Sequence, residues 1–175
     1  MASVTTGGNY TKIAECRVCQ SQQLTPVVKF DPQFIASTFV ETNEDNPISK
    51  IKIPLTLLLC QGCGLAQLEE TVLPDLLYKS YFYRSGVTET MKRDLGDVVA
   101  NVLTEIKTFP GDLVLDIGCN DGLMLSLFPP ELKRVGIDAA ENIDWAHLDD
   151  SIEIINDYFP SGRLTGRKFK AITST

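Results

Sequence analysis

Two groups of residues in this sequence have the types and spacing to do chemistry. The first is a pair of Cys-x-x-Cys motifs, Cys16-Arg17-Val18-Cys19 and Cys60-Gln61-Gly62-Cys63. Each short pair can form a turn that directs both sulfurs at one point, and four thiolates suit a tetrahedral zinc ion, with iron as the alternative for any four-thiolate site. Gly62 and Gly64 give the second turn freedom to swing backbone N–H groups toward sulfur. Four unligated buried thiols would be the bland alternative, and the paired spacing argues against it. A site saturated by Cys16, Cys19, Cys60 and Cys63 keeps no position open for water, so its expected role is structural.

The second group is Asp116-Ile117-Gly118-Cys119-Asn120-Asp121-Gly122. The apolar residues around Asp116 suit a strand buried on both faces, and Gly118 and Gly122 allow a sharp corner into a helix. That helix, carrying Leu123, Leu125, Leu127 and Phe128, must stop at Pro129-Pro130. Such a corner is expected to aim free N–H groups and the positive end of a helix dipole at a ligand's anionic group. A dinucleotide site would need Gly-x-Gly-x-x-Gly, and Asn120 stands where the middle glycine would be, which weighs against a nicotinamide-dependent oxidoreductase. A further strand, Arg134-Val135-Gly136-Ile137-Asp138, ends in an acid about twenty positions on, where a carboxylate can accept two ribose hydroxyls.

The remaining chain must position these groups. Residues 1–11 have no apolar periodicity and are expected to be a loose tail. Between the cysteine pairs, Val27–Phe30 and Ile51–Leu59 read as strands joined by a polar loop over Glu41–Asn46, and Leu65–Leu68 continues the sheet. Residues 12–72 thus form one small β-rich domain. Residues 73–86 read as a linker whose Tyr78, Tyr81, Phe82 and Tyr83 either cement an interface or line the mouth of a ligand cleft. From Thr88, a capping residue, Met91, Leu95, Val98, Val99, Val102, Leu103 and Ile106 mark one helical stripe. After Asp138, residues 139–146 read as a weak helix or loop. Ile152–Pro160 gives a third strand and Lys168–Thr175 a fourth, so 87–175 forms an α/β domain. His147 is the single histidine and matches no motif.

Composition narrows the functional class. With 175 residues, 43% hydrophobic and 22% charged, the chain is globular, and a net charge of -7 without a basic stripe excludes a nucleic-acid backbone binder. The N-terminus lacks the apolar core of a signal peptide, and Ile53–Leu59 is too short to span a bilayer. A cytoplasmic protein that contacts no membrane is expected, and its five cysteines suit metal ligands or buried thiols better than disulfides.

The acid-glycine corner resembles the first motif of class I S-adenosylmethionine (SAM) methyltransferases. Taken with Cys16-x-x-Cys19, Pro54-Leu55, Cys60-x-x-Cys63-Gly64-Leu65-x-Gln67, Tyr81-x-Tyr83-x-Ser85-Gly86 and Asn120-Asp121-Gly122, the chain is similar to sugar C-methyltransferases that act on nucleotide-linked 4-keto deoxysugars. The resemblance implies a zinc-binding domain followed by a Rossmann-like SAM domain, whose full sheet has strand order 3-2-1-4-5-7-6 and of which only four strands are present here. It further implies that Gly118, Asn120, Asp121 and Gly122 hold the methionine part, with Asp116 near its ammonium and Asp138 on the ribose. Tyr81, Tyr83 and Ser85 join the cofactor-binding set. Asp157 either accepts from the adenine amino group or is a surface aspartate before a turn. No residue here is assigned as the catalytic base, which by resemblance lies beyond Thr175. The chain is therefore expected to be the N-terminal portion of such an enzyme. The rival is a zinc-stabilised interaction module with a vestigial cofactor pocket. An apolar fourth strand, Phe169–Thr173, would leave an edge open to self-association.

Overall fold

The computed structural model describes residues 5–36 and 50–175. It is a mixed α/β chain that divides between Ser80 and Tyr81 into two compact units. The division falls inside the stretch read as a linker. The expected loop over Glu41–Asn46 lies outside the described residues.

The first unit holds two small antiparallel sheets. Strands β1 (Thr5–Gly7) and β2 (Tyr10–Lys12) form a hairpin where a loose tail was expected, and β2 pairs with β6 (Glu70–Val72). The second sheet has order β3-β4-β5, from Leu24–Phe34, Lys52–Cys60 and Ala66–Leu68. β4 is central, and Thr56, Leu58 and Cys60 are buried on alternate positions as a half-buried strand requires. β3 extends beyond the expected Val27–Phe30. It sits at the sheet edge, and its register shifts at Pro26/Val28 and Phe30/Gln33, beside the two prolines that have no N–H to donate. Glu70 joins the sheets. Its buried carboxylate accepts the Thr56 N–H at 2.8 Å and the Thr56 hydroxyl at 3.0 Å, and lies 3.5 Å from Lys12 Nζ. A short helix, α1 (Pro74–Tyr78), ends the unit.

The second unit is a four-stranded parallel sheet flanked by helices. Helix α2 (Glu89–Glu105) starts where the sequence signals it, with the Thr88 hydroxyl accepting the Met91 N–H at 3.2 Å. It packs Leu95 and Val99 against Val114, Met124, Phe128 and Leu132. Then follow β7 (Leu113–Ile117), α3 (Leu123–Leu127), β8 (Lys133–Asp138), β9 (Ile152–Asn156) and β10 (Ala171–Thr173). Their order is β9-β8-β7-β10, which is 3-2-1-4 within the unit. Leu115, Val135, Ile137 and Ile155 make a separate buried cluster. β9 is shorter than the expected Ile152–Pro160. Asn156 turns its amide back to the carbonyls of Asp138 and Ala140, and Asp157 accepts the Tyr158 N–H, so the chain leaves the sheet there. Residues 139–146 contain no helix.

Candidate functional site

The two cysteine pairs converge within the first unit. Gly64 adopts φ +77°, which closes the second turn. The sulfurs of Cys16 and Cys63 lie 3.7 Å apart, those of Cys19 and Cys60 3.5 Å apart, and all four fall within 4.8 Å of one another. Zn–S bonds near 2.3 Å in a tetrahedron put sulfurs roughly 3.8 Å apart, so the cluster has the dimensions of a zinc site and is too open for disulfides. Left to themselves, four such sulfurs cannot all ionise. The N–H groups of Cys19 and Val18 pull Cys16 down to about 6. The Leu65 N–H acts the same way on Cys63, but Cys19, burial and the other two sulfurs outweigh it and push that thiol up to about 12. A divalent cation at the centre removes the conflict.

The second unit builds the acid-glycine corner at the carboxyl ends of β7 and β8. Gly118 and Gly122 have φ of +73° and +78°, and Asn120 stands at +50°, a left-handed conformation that asparagine tolerates better than most residues. This is why asparagine serves in place of a third glycine. A Cβ added to Gly118 would meet nothing within 4 Å, so the hollow beside it is open. Asp138 points at this corner, with Oδ2 accepting the Asn120 N–H at 2.8 Å and Oδ1 the Ala140 N–H at 2.9 Å. Asp116 is only 3% exposed, and its Oδ1 accepts the Thr173 hydroxyl at 2.7 Å. Burial pushes its carboxyl up to about 6, the nearby Asp138 charge adds to this, and the Thr173 bond opposes it. Burial likewise pushes the Cys119 thiol well up.

The expectation of free N–H groups at the corner is corrected. Those of Gly118 and Cys119 both bond the Ile137 carbonyl, that of Asn120 bonds Asp138, and that of Asp121 bonds the Asn120 side chain. Gly122 N–H bonds the Cys119 carbonyl and Leu123 N–H reaches Asp121 Oδ1. The loop spends its donors on its own shape, so acids and open space, rather than an anion nest, characterise the site.

Tyr81, Tyr83 and Ser85 come to the corner through their backbones. Asn142 exchanges two bonds with the Tyr81 main chain, Asn120 Nδ2 donates to the Tyr83 carbonyl at 3.0 Å, and Asn120 Oδ1 accepts the Ser85 N–H at 3.3 Å. Gly86 N–H reaches Asp121 Oδ2 at 2.6 Å, and a Cβ on Gly86 would stand 2.9 Å from that oxygen, so a side chain there would push the Asp121 carboxylate aside. Arg84 braces the strap by donating to the carbonyls of Tyr81, Tyr83 and Asn142. Trp145 completes the tie, with Nε1 donating to the Asn120 carbonyl at 2.7 Å. Sequence reasoning singled out neither Arg84, Asn142 nor Trp145, since none lies in a motif of regular spacing. Asp157 sits beside Asp138 through its N–H on the Asp138 carbonyl, but its carboxylate is taken by the Ser161 hydroxyl and the Tyr158 N–H, which hold it below the usual carboxylate range. A cleft of about 530 Å³ opens beside Asp121, lined also by Arg84, Ser126, Asn142, Asp144 and His147. Gly118 and Asp138 do not line it.

Comparison with known proteins bears on both units. Residues 16–78 match the methyltransferase family Methyltransf_13, described as "Putative zinc binding domain". The chain is also 31% identical over 144 residues to C-methyltransferase NovU from Streptomyces niveus. Residues 16–78 thus match a zinc-binding domain, and the chain is similar to a C-methyltransferase. The alignment covers 82% of this chain and 34% of NovU, so the chain spans about a third of the length of that relative. A stretch of 144 residues is longer than the first unit, so the likeness to this C-methyltransferase runs past Ser80 into the unit that holds the acid-glycine corner. The four cysteines supply the thiolates that a zinc-binding region requires.

Proposed function

We propose that this chain is the zinc-binding and SAM-binding portion of a methyltransferase that alkylates carbon in a nucleotide-linked keto-deoxysugar or a related small molecule. The observation that carries the reading is the Asp138 carboxylate at the end of β8, aimed at the corner and open to further bonds. Each of its oxygens accepts one N–H and retains acceptor capacity. On this reading the 3-2-1-4 parallel sheet is the first part of a class I Rossmann-like fold, and the ligand sits where α/β sheets take ligands, outside the carboxyl ends of the strands.

SAM brings an activated methyl group on its own leaving group, which leaves the protein to bind, orient and exclude water. Asp138 would hold the ribose hydroxyls, Asp116 would face the ammonium, and the open side of Gly118 would admit the methionine chain. The strap at Tyr81–Gly86 would fix the loop through Asn120 and Asp121. The protein is read as cytoplasmic, without nucleic-acid or membrane partners, and no helix among the described residues is long and apolar enough to cross a membrane.

Trp145, the single tryptophan, is bonded to the corner and reports on it. Titration of the zinc-loaded chain with SAM or its demethylated product should change Trp145 fluorescence and give calorimetric heat. Asp138→Ala should weaken binding about 10-fold or more, as expected when charged hydrogen bonds to two hydroxyls are lost. The self-satisfied N–H groups of residues 118–123 favour a second reading, a zinc-stabilised interaction module with a vestigial pocket. A folded, zinc-loaded protein that binds neither compound would establish it.

The partner we propose is a second copy of this chain, through β10. This strand pairs with β7 on one side and carries no strand on its other side among the described residues, and Ile172 is 59% exposed. Sedimentation velocity should show concentration-dependent dimers that Ile172→Lys disperses, because a charge on an edge strand opposes pairing. A monomer at all concentrations rejects this partner.

A further inference from the structure

Gln67 carries a buried side-chain nitrogen, Nε2, with no hydrogen-bond partner, in a residue only 8% exposed. The other end of the amide is committed. Oε1 accepts the Arg17 N–H at 3.1 Å and Arg17 Nη1 at 3.3 Å. Two donors converging on one atom identify it as the oxygen, so the orientation of the amide is fixed and Nε2 turns the other way. The Arg17 N–H that Oε1 accepts belongs to the residue directly after Cys16, so the amide lies beside that buried cysteine.

Arg17 is itself anchored. Nη1 donates to the Leu68 carbonyl at 2.6 Å and Nη2 to the Thr71 hydroxyl at 2.7 Å. A fixed guanidinium on Oε1 polarises the amide and makes Nε2–H the stronger donor. Cys16 is 1% exposed whereas Cys19 and Cys63 lie at the surface, so water can solvate those two sulfurs but not that of Cys16. Four thiolates around a divalent cation leave negative charge on sulfur, and at a buried sulfur protein donors must meet it.

We propose that Gln67 is a metal-positioning residue, whose Nε2–H completes the hydrogen-bond shell of the metal-bound Cys16 thiolate while Arg17 holds the amide in place. This rests on the zinc reading of the cluster. The Gln67 bond makes Cys16 the sulfur least open to electrophiles and slows release of the ion.

The direct test loads the whole chain with 113Cd and looks for a through-bond correlation between the ion and the Gln67 amide protons. A cross-peak is expected, and its absence in cadmium-loaded protein overturns the proposal. This needs no variant and so does not depend on one folding. Two variants then separate the donor from the Arg17 latch. Gln67→Glu keeps oxygens for Arg17 but deletes the N–H, and Gln67→Leu removes both. Both should raise the zinc Kd about 10- to 100-fold, the usual effect of losing a bond to a metal ligand, and both should speed alkylation of Cys16 more than of Cys60. Wild-type affinity and alkylation in Gln67→Glu, with losses only in Gln67→Leu, would assign the effect to the latch and overturn the proposal, as would equal acceleration at both cysteines. Failure of the unmodified chain to bind zinc or cadmium would instead sink the zinc reading itself.

Discussion

At the scale of residues, Asp116 combines burial with a neighbouring acid, and the consequence is a pH dependence of defined sign. Its carboxyl sits at about 6 in the folded protein against 3.8 unperturbed. Between these values the folded state keeps the proton that the unfolded state has released, so stability falls as pH rises from about 4 through about 6 and then levels off. The full penalty is about 3 kcal/mol. Asp116→Asn preserves an acceptor for Thr173 and removes the titration. Urea unfolding at several pH values should show the variant gaining on the wild type across this window and remaining ahead at pH 7. If an ammonium binds beside Asp116, SAM affinity should rise over the same window, since the cation selects the ionised form. Asn120 shows how far single residues were legible. Its motif marked it as a corner residue, and its left-handed backbone accounts for the missing glycine. Its bonds to Tyr83, Ser85 and Trp145 were not readable, because nothing local in a sequence specifies partners 25 to 37 positions away.

At the scale of elements, legibility followed length and periodicity. Helix α2 presents a complete apolar stripe and a capping threonine, and β7 is a run covered on both faces, so each is determined by its own residues. The hairpin β1–β2 and strand β6 have three residues apiece and no alternation to read; they exist because they pair with one another. The corner's spent N–H groups escaped notice for a related reason, since the acceptor for two of them, Ile137, belongs to β8. Gly136 on β8 illustrates an element constraint that sequence named only as part of a strand. A Cβ there would stand 2.6 Å from Cys119 Sγ, 2.7 Å from Leu125 Cδ1 and 2.9 Å from Ile154 Cδ1. Crowding on three sides leaves no direction for relief, so Gly136→Ala should destabilise the second unit by about 1–3 kcal/mol, the usual cost of overpacking a core. Chemical denaturation followed by Trp145 fluorescence would measure it, and an unchanged midpoint would show that the corner loop can yield.

At the scale of the whole molecule, the two units are stabilised by different means. The second buries three contiguous apolar clusters around its sheet and is sustained by them. Among the described residues of the first unit, the buried apolar side chains besides cysteine are Ile35, Ile53 and Leu58, and two of the buried groups are Cys16 and Cys60 themselves. So small a core does not offset the chain entropy of some eighty residues. The four-thiolate ion must therefore supply much of that unit's stability, as metal binding does in small metal-dependent domains. A strong chelator should accordingly unfold the first unit, seen as loss of β-sheet circular dichroism and the appearance of four thiols reactive to a chromogenic disulfide. Trp145 belongs to the second unit, so its fluorescence should hold through the same treatment and change only on later heating. Because thiolate ligands must be deprotonated, the chelator concentration required should fall as the pH is lowered. Simultaneous loss of the tryptophan signal and the β-sheet signal on chelation would mean that the second unit cannot stand without the first, whatever its own core provides.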